Sequence, residues 1–181
     1  MKHAIRKEIR TKLSLLPEEE RLRKSELIRV KLFRGREFRD ARCVMWYVST
    51  EEEVDTRRMI EETLRMGKRV CVPVVLKGSK KMVVSEIQES DILHKGCYGI
   101  YQPSDSSVDP VPLEEIDLVV VPGVAFDHGN VRLGRGHGYY DRFLCNLPKD
   151  VTTIGLAFDV QLVEKLPRDS HDVPVSKTIT A

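Results

Sequence analysis

The feature that most constrains this chain is a glycine-rich stretch set between two apolar segments, Val121-Pro-Gly-Val-Ala-Phe-Asp-His-Gly-Asn-Val-Arg-Leu-Gly-Arg-Gly-His-Gly-Tyr-Tyr-Asp141. Leu118 to Val121, before it, is a continuous apolar run that reads as a buried strand. After it, Tyr140, Phe143, Leu144 and Leu147 recur at i, i+3, i+4 and i+7, so a helix with one apolar face begins near Gly138. The connection holds five of the chain's eleven glycines. Glycines between a strand and a helix let the backbone approach a ligand closely, and first-turn amides with Arg132 and Arg135 suit an anionic group. The stretch reads as a phosphate-binding turn.

The remaining segments alternate between helical and strand-like patterns around that unit. Ile5, Ile9, Leu13 and Leu16 form a stripe at helical spacing, so the first sixteen residues form a helix, and Pro17-Glu-Glu-Glu20 starts a second. Cys43 to Ser49 is strand-like, and Asp55 to Met66 is a helix stopped by Gly67. Arg69 to Val75 and Met82 to Ile87 are further strands, although Pro73 cannot donate to a sheet ladder. Residues 88–117 lack periodicity and read as a long irregular excursion. Thr153 to Phe158 is another strand, Asp159 caps a short helix, and Val173 to Thr180 is a terminal strand. This alternation predicts an α/β fold: three layers, α/β/α, around a central mixed, mostly parallel sheet, Rossmann-like, with residues 1–181 forming one domain.

Composition narrows the partners. Thirty basic and twenty-eight acidic residues leave a formal charge of +2, too balanced for a nucleic-acid binder by bulk electrostatics, so a small ligand is expected. Cys43, Cys71, Cys97 and Cys145 show no C-x-x-C pair and no neighbouring histidine cluster, which predicts reduced thiols rather than structural zinc. The charged N-terminus and the lack of any apolar run near the ~20 residues of a membrane span predict a cytoplasmic protein, expected to work as a monomer.

Pro122-Gly-Val-Ala-Phe-Asp127 followed by Arg132-Leu-Gly-Arg-Gly-His-Gly-Tyr-Tyr-Asp141 resembles the signature of the 5-formyltetrahydrofolate cyclo-ligase family, also called methenyltetrahydrofolate synthetases. The resemblance takes in the basic N-terminal helix, Tyr47-Val-Ser-Thr-Glu-Glu-Glu-Val-Asp-Thr56, Gln102-Pro103 and His171-Asp-Val-Pro174, essentially the whole chain. It implies a ligase that converts 5-formyltetrahydrofolate and ATP into 5,10-methenyltetrahydrofolate, ADP and phosphate, using magnesium. The formyl oxygen attacks the γ-phosphate to give an N5-iminium phosphate, N10 adds to the activated carbon, and phosphate leaves. Such a protein holds a triphosphate beside a folate and stabilises charge on the transferring phosphoryl group.

Arg135, between Gly134 and Gly136, suits that stabilising role, because a guanidinium there reaches phosphate oxygens in a bidentate fork; the plain alternative is a solvated loop arginine. The resemblance implies ATP contacts at Lys2, Arg6, Arg132, Leu133, Gly134, Arg135, Gly136, His137, Gly138, Tyr139 and Tyr140. It implies folate contacts at Thr50, Glu53, Tyr98, Arg135, Gly136, His137, Gly138 and Tyr139, with Glu53 hydrogen-bonded to the pteridine and Arg135 and Tyr139 catalytic. Val48 is placed beside Thr50 in the same pocket. His137 stands where some relatives carry lysine, leaving open a fixed charge or only a hydrogen bond. Adjacent tyrosines on a helix point in different directions, so Tyr140 is assigned to the core and Tyr139 to the folate. Tyr98 and Phe126 either stack on the substrate rings or pack in the core. Lys7 and Arg10 read as a solvated basic face. Asp141 and Asp172 match the family's two acids and are expected to hold one magnesium ion, although Asp141 would also suit a helix N-terminus for purely structural reasons. Two other readings stay open: a sugar-phosphate isomerase-like enzyme, and a nucleotide-binding module without catalysis. A Walker-type NTPase is disfavoured because no G-x-x-x-x-G-K-[ST] occurs.

Overall fold

The computed structural model describes residues 1–75, 81–96 and 101–181. In chain order it runs α1 (Lys2–Leu15), α2 (Glu18–Arg34), α3 (Arg36–Asp40), β1 (Cys43–Met45), α4 (Arg57–Arg65), β2 (Arg69–Val75), β3 (Met82–Ile87), β4 (His94–Lys95) and β5 (Tyr101–Gln102). There follow β6 (Asp109–Pro110), β7 (Leu118–Val121), β8 (Ala125–Asp127), β9 (Arg132–Leu133), α5 (Tyr139–Leu144), β10 (Thr152–Ala157), β11 (Leu162–Val163) and β12 (Lys177–Thr180).

The main sheet has seven strands in the order β12-β10-β7-β1-β2-β3-β6. Pairing is parallel from β12 through β2 and antiparallel at β3 and β6, the mixed and mostly parallel sheet that the sequence predicts. Strands such as Leu118–Val121 are apolar at every position because both faces are covered. The covers are unequal. Ile9, Leu13, Ile28, Leu32, Phe38 and Met59 bring α1 to α4 onto the face that shows Val44, Val70, Leu118 and Ile154. The opposite face, with Met45, Cys71, Val119 and Val121, meets Phe143 and Leu144 of α5 and the irregular residues Val111 and Ile116. α5 is short because the chain turns at Asn146 and Leu147, whose N–H groups reach Phe143 and Leu144, and Pro148 follows.

Several local expectations change. β1 ends at Met45 although the apolar run continues to Val48. After Trp46 donates to Cys71 O at 2.8 Å, the chain leaves the ladder, and side chains replace it. Ser49 N donates to Thr56 Oγ1 (3.0 Å), Thr56 N to Ser49 Oγ (3.1 Å), and Thr56 Oγ1 to Tyr47 O (2.6 Å). The same departure explains Pro73: its antiparallel partner is Val84, but β1 stops short of it, so no ladder donor is missing on that side. Within residues 88–117, the described parts 88–96 and 101–117 hold more regular structure than expected, with the β4–β5 pair and β6 on the sheet edge. Asp159 is the first residue of the next turn and not its cap: Phe158 takes the cap position, its N–H donating to Gln161 Oε1 at 2.8 Å, while Asp159 Oδ1 accepts the Val160 N–H at 2.8 Å. Phe126 is a core residue, fully buried, and not a stacking surface for a ligand. Cys43, Cys71 and Cys145 are free thiols, and Cys97 lies outside the described residues. Among the described residues no helix is long and apolar enough to cross a membrane.

Gly155 in β10 is required by close approach: a Cβ there would lie 2.4 Å from Phe126 Cε1. Gly155→Ala is expected to destabilise the protein by about 1–3 kcal/mol, read as a lower urea midpoint with an unchanged slope.

Candidate active site

The strand order reverses between β1 and β7, since β2 continues on one side of β1 and β7 lies on the other. In open α/β sheets ligands bind beyond the carboxyl ends of strands at such a point. A cavity of about 290 Å³ occupies that position. Tyr47, Val48, Thr50 and Glu53 reach it from the end of β1, Pro122 and Gly123 from the end of β7, and residues 132–141 form a long wall. Lys2, Arg6, Asp169, His171 and Asp172 complete it from the two ends of the chain. The structure therefore brings together Lys2, Arg6, Thr50, Glu53, Arg132, Leu133, Gly134, Arg135, Gly136, His137, Gly138, Tyr139, Tyr140, Asp141 and Asp172. Tyr98 lies outside the described residues. Tyr47, Pro73 and Asp169 also border the cavity and were not singled out from sequence. A wider groove, about 1180 Å³, adjoins it and shares Thr50, Glu53, Gly123 and Arg135.

The wall is built from a tight hairpin. Asp127 Oδ1 accepts the N–H groups of Gly129 and Val131, both at 2.9 Å, and Asn130 takes φ 60°, which turns β8 back into β9. Arg132 is thereby carried inward and is only 5% exposed. Its Nη2 pairs with Asp141 Oδ1 at 2.9 Å, its Nη1 reaches Pro122 O at 3.3 Å, and its guanidinium lies 5.6 Å from the centre of the Tyr140 ring. Gly136 (φ 110°) and Gly138 (φ 67°) then adopt backbone that side chains resist, and α5 starts directly after them. Arg6 Nε donates to Gly134 O at 2.8 Å, fixing α1 against the glycine stretch.

Arg135 and Glu53 meet across the cavity, Nη2 to Oε1 at 2.8 Å. Glu53 Oε2 accepts the N–H and O–H of Thr50 at 2.9 and 3.1 Å. A cation and an anion on facing walls of the cavity thus neutralise each other. The tyrosines do not divide as expected. Tyr140 does pack against both core layers, but Tyr139 is the more buried of the two, and both border the cavity. Burial, reinforced by Glu53, pushes the Tyr47 phenol well above its ordinary value.

The acids are distributed differently from the expected pair. Asp141 is engaged by Arg132, whereas Asp172 belongs with Asp169 and His171, whose ligand atoms lie within 4.8 Å of one another. Lys2 Nζ sits against that group, 2.8 Å from Asp169 Oδ2 and 2.5 Å from Asp172 Oδ2. Lys2, next to the N-terminus, is thereby tied down. Burial opposes the charge on Asp172, but the Asp169 N–H and the Lys2 ammonium outweigh it and hold the carboxyl below its ordinary value of 3.8. Burial likewise opposes Lys2, and its bonds to Asp169 and Asp172 raise it above 10.5. The depressed acid contributes stability above pH 3.8 that is lost as pH falls through its folded value; the raised base contributes below pH 10.5 and loses it as pH climbs through its own. The clamp is therefore intact between those limits. Protection of the α1 amides against hydrogen exchange, taken relative to the unstructured rate at each pH, should fall on acidification below pH 3.8, and Asp172→Asn should lower it already at neutral pH.

The profile of the 5-formyltetrahydrofolate cyclo-ligase family matches residues 1–181. A 5-formyltetrahydrofolate cyclo-ligase of Mus musculus is 32% identical over 187 residues, covering 98% of this chain and 92% of the relative. One of Escherichia coli K12 is 36% identical over 143 residues, covering 77% and 78%. The solution structure of 5,10-methenyltetrahydrofolate synthetase from Aquifex aeolicus superposes with a TM-score of 0.86 at 35% identity, over 99% of this chain and 89% of that one. With its signature lining a cavity at the switch point of the sheet, the chain belongs to the 5-formyltetrahydrofolate cyclo-ligase family.

Proposed function

We propose that the chain closes 5-formyltetrahydrofolate to 5,10-methenyltetrahydrofolate at the expense of ATP, in the cavity between the ends of β1 and β7. The observation that carries the reading is the meeting there of the Arg135 guanidinium and the Glu53 carboxylate, in a chain that matches the family over its whole length. The sugar-phosphate isomerase reading loses its ground with that match, and retention of Glu53, Arg135, Tyr139, Asp141 and Asp172 disfavours an inactive module.

Residues Arg132 to Tyr139 wrap the ATP phosphates, with Lys2 and Arg6 adding positive charge from α1. Glu53 accepts pteridine N–H groups, and Thr50 holds its second oxygen in place. Tyr139 and residues 135–138 stand between the two substrates. When both are bound, Arg135 exchanges Glu53 for the γ-phosphate. The formyl oxygen bonds to the γ-phosphorus as its bond to ADP breaks, and Arg135 donates to the oxygens that gain charge. N10 then bonds to the formyl carbon and loses its proton, and the carbon–oxygen bond breaks to release inorganic phosphate. Arg132 keeps a supporting place because its fork is already divided between Asp141 and Pro122 O.

The residues fit magnesium. Asp172 is ionised, and with Asp169 it already surrounds one cation, the Lys2 ammonium, with carboxylate oxygens. Asp172 and Asp169, with Asp141 from the facing wall, would hold the ion directly or through waters. Bound there, magnesium would neutralise phosphate charge. A cytoplasmic location and a monomeric working form belong to the same reading, and the free thiols Cys43, Cys71 and Cys145 suit a reducing compartment.

The test is the absorbance of methenyltetrahydrofolate, which should accumulate only with ATP and magnesium and match ADP released one for one. A folded protein that binds ATP yet forms no methenyl product would refute the assignment. Arg135→Ala should lower turnover by at least ~10²-fold with folding retained, and lysine should not restore it. Asp141→Asn and Asp172→Asn should each raise the magnesium concentration needed for half-maximal activity, with a double variant falling short of the summed single effects. Additive losses at an unchanged magnesium requirement would instead mark two separate structural acids.

A further inference from the structure

Four buried side-chain polar atoms find no hydrogen-bond partner among the described residues: Trp46 Nε1, Arg132 Nε, Tyr140 Oη and Thr178 Oγ1. Arg132 and Tyr140 both border the cavity, and Trp46 and Thr178 do not. A buried donor left unpaired is costly, and folded proteins keep few of them. Tyr140 is the sharper case because its ring has little room to turn. It packs edge-on to Phe143, centres 6.4 Å apart at 80°, and the Arg132 guanidinium lies 5.6 Å from its centre. Side chains of both core layers touch it as well.

The surroundings of the hydroxyl indicate what it meets. Burial, then the Glu53 carboxylate, push the Tyr140 phenol above its ordinary value, with Arg132 and Arg135 opposing. The group therefore stays a protonated donor at neutral pH. Other donors at this end of the cavity are engaged: Arg135 by Glu53, the Thr50 hydroxyl by Glu53, and the Tyr47 hydroxyl, more loosely, by Val54 O at 3.4 Å.

A 2-amino-4-oxopteridine presents N–H donors along one edge with a carbonyl oxygen beside them. An ionised carboxylate only accepts, so Glu53 serves the N–H groups and leaves the oxo group in need of a donor. We propose that the Tyr140 hydroxyl donates to the 4-oxo oxygen of the bound pteridine, so that Glu53 and Tyr140 together read that edge. The inference rests on the folate reading above and assigns to the folate a side chain that the family resemblance groups with the ATP contacts.

Tyr140→Phe keeps the ring and removes only the hydroxyl. Calorimetric titration with 5-formyltetrahydrofolate should show about tenfold weaker binding, the loss of one hydrogen bond, while a non-hydrolysable ATP analogue binds as before. The Tm should stay level or rise, because an unpaired buried hydroxyl stabilises nothing in the free protein. A fall in Tm beyond about 2 °C would mean that the hydroxyl has a partner of its own, a bound water included, and would overturn the proposal. Unchanged folate affinity, or weakening confined to the ATP analogue, would overturn it too. If wild-type protein binds the ATP analogue but not 5-formyltetrahydrofolate, the folate reading falls and takes this inference with it; wild-type binding matched by Tyr140→Phe removes the inference alone.

Discussion

The buried ion pair of Arg132 and Asp141 is the interaction on which the cavity depends. It joins β9 to the first turn of α5, and the same guanidinium holds the end of β7 through Pro122 O. Three pieces of chain joined through glycine-containing segments are thus fixed against one another. A buried pair of this kind gains little net stability over an apolar contact, yet losing one partner leaves a charge stranded in the core. Its worth here lies in position: with residues 132 and 141 held, the intervening glycine stretch can carry strained backbone without wandering.

On the other wall the equivalent task falls to neutral hydrogen bonds. The exchange between Ser49 and Thr56 replaces the ladder that β1 abandons, and it closes a loop whose tip presents Thr50 and Glu53. Arg135 then bridges the two walls. Because Arg135 and Glu53 satisfy each other, neither charge is left uncompensated, and a ligand that engages one of them frees the other for a second ligand. An enzyme that must assemble two substrates in one cavity gains from such coupling, since each binding event removes part of the cost of the next.

The third element is the closure of the chain ends onto the site. α1 contributes Arg6 to the glycine stretch and Lys2 to the turn containing Asp169 and Asp172. The ammonium of Lys2 lies between the two carboxylates of that turn, so the N-terminal helix and the acidic turn are held together by charge.

The sequence by itself determined the fold class and named most of the residues that line the cavity. Apolar runs such as Leu118–Val121 demanded burial on both faces, helical stripes such as Ile5, Ile9 and Leu13 demanded a sheet to lie on, and the glycine signature allowed close approaches of backbone that a side chain would block. These are local constraints, written in spacing and side-chain type. What only the tertiary structure decided was pairing. No local rule sends Arg132 inward to Asp141 rather than outward to phosphate, brings Lys2 to Asp172 across the whole chain, or leaves Tyr140 beside the cavity with its hydroxyl unpaired. Phe126 shows the same limit: as an aromatic next to a glycine stretch it suits a ligand or a core equally, and the absence of Cβ atoms at Gly123 and Gly155, which opens a slot for its ring, assigns it to the core. Contacts between distant residues depend on how sheets and helices close in space, and that closure is a property of the whole chain.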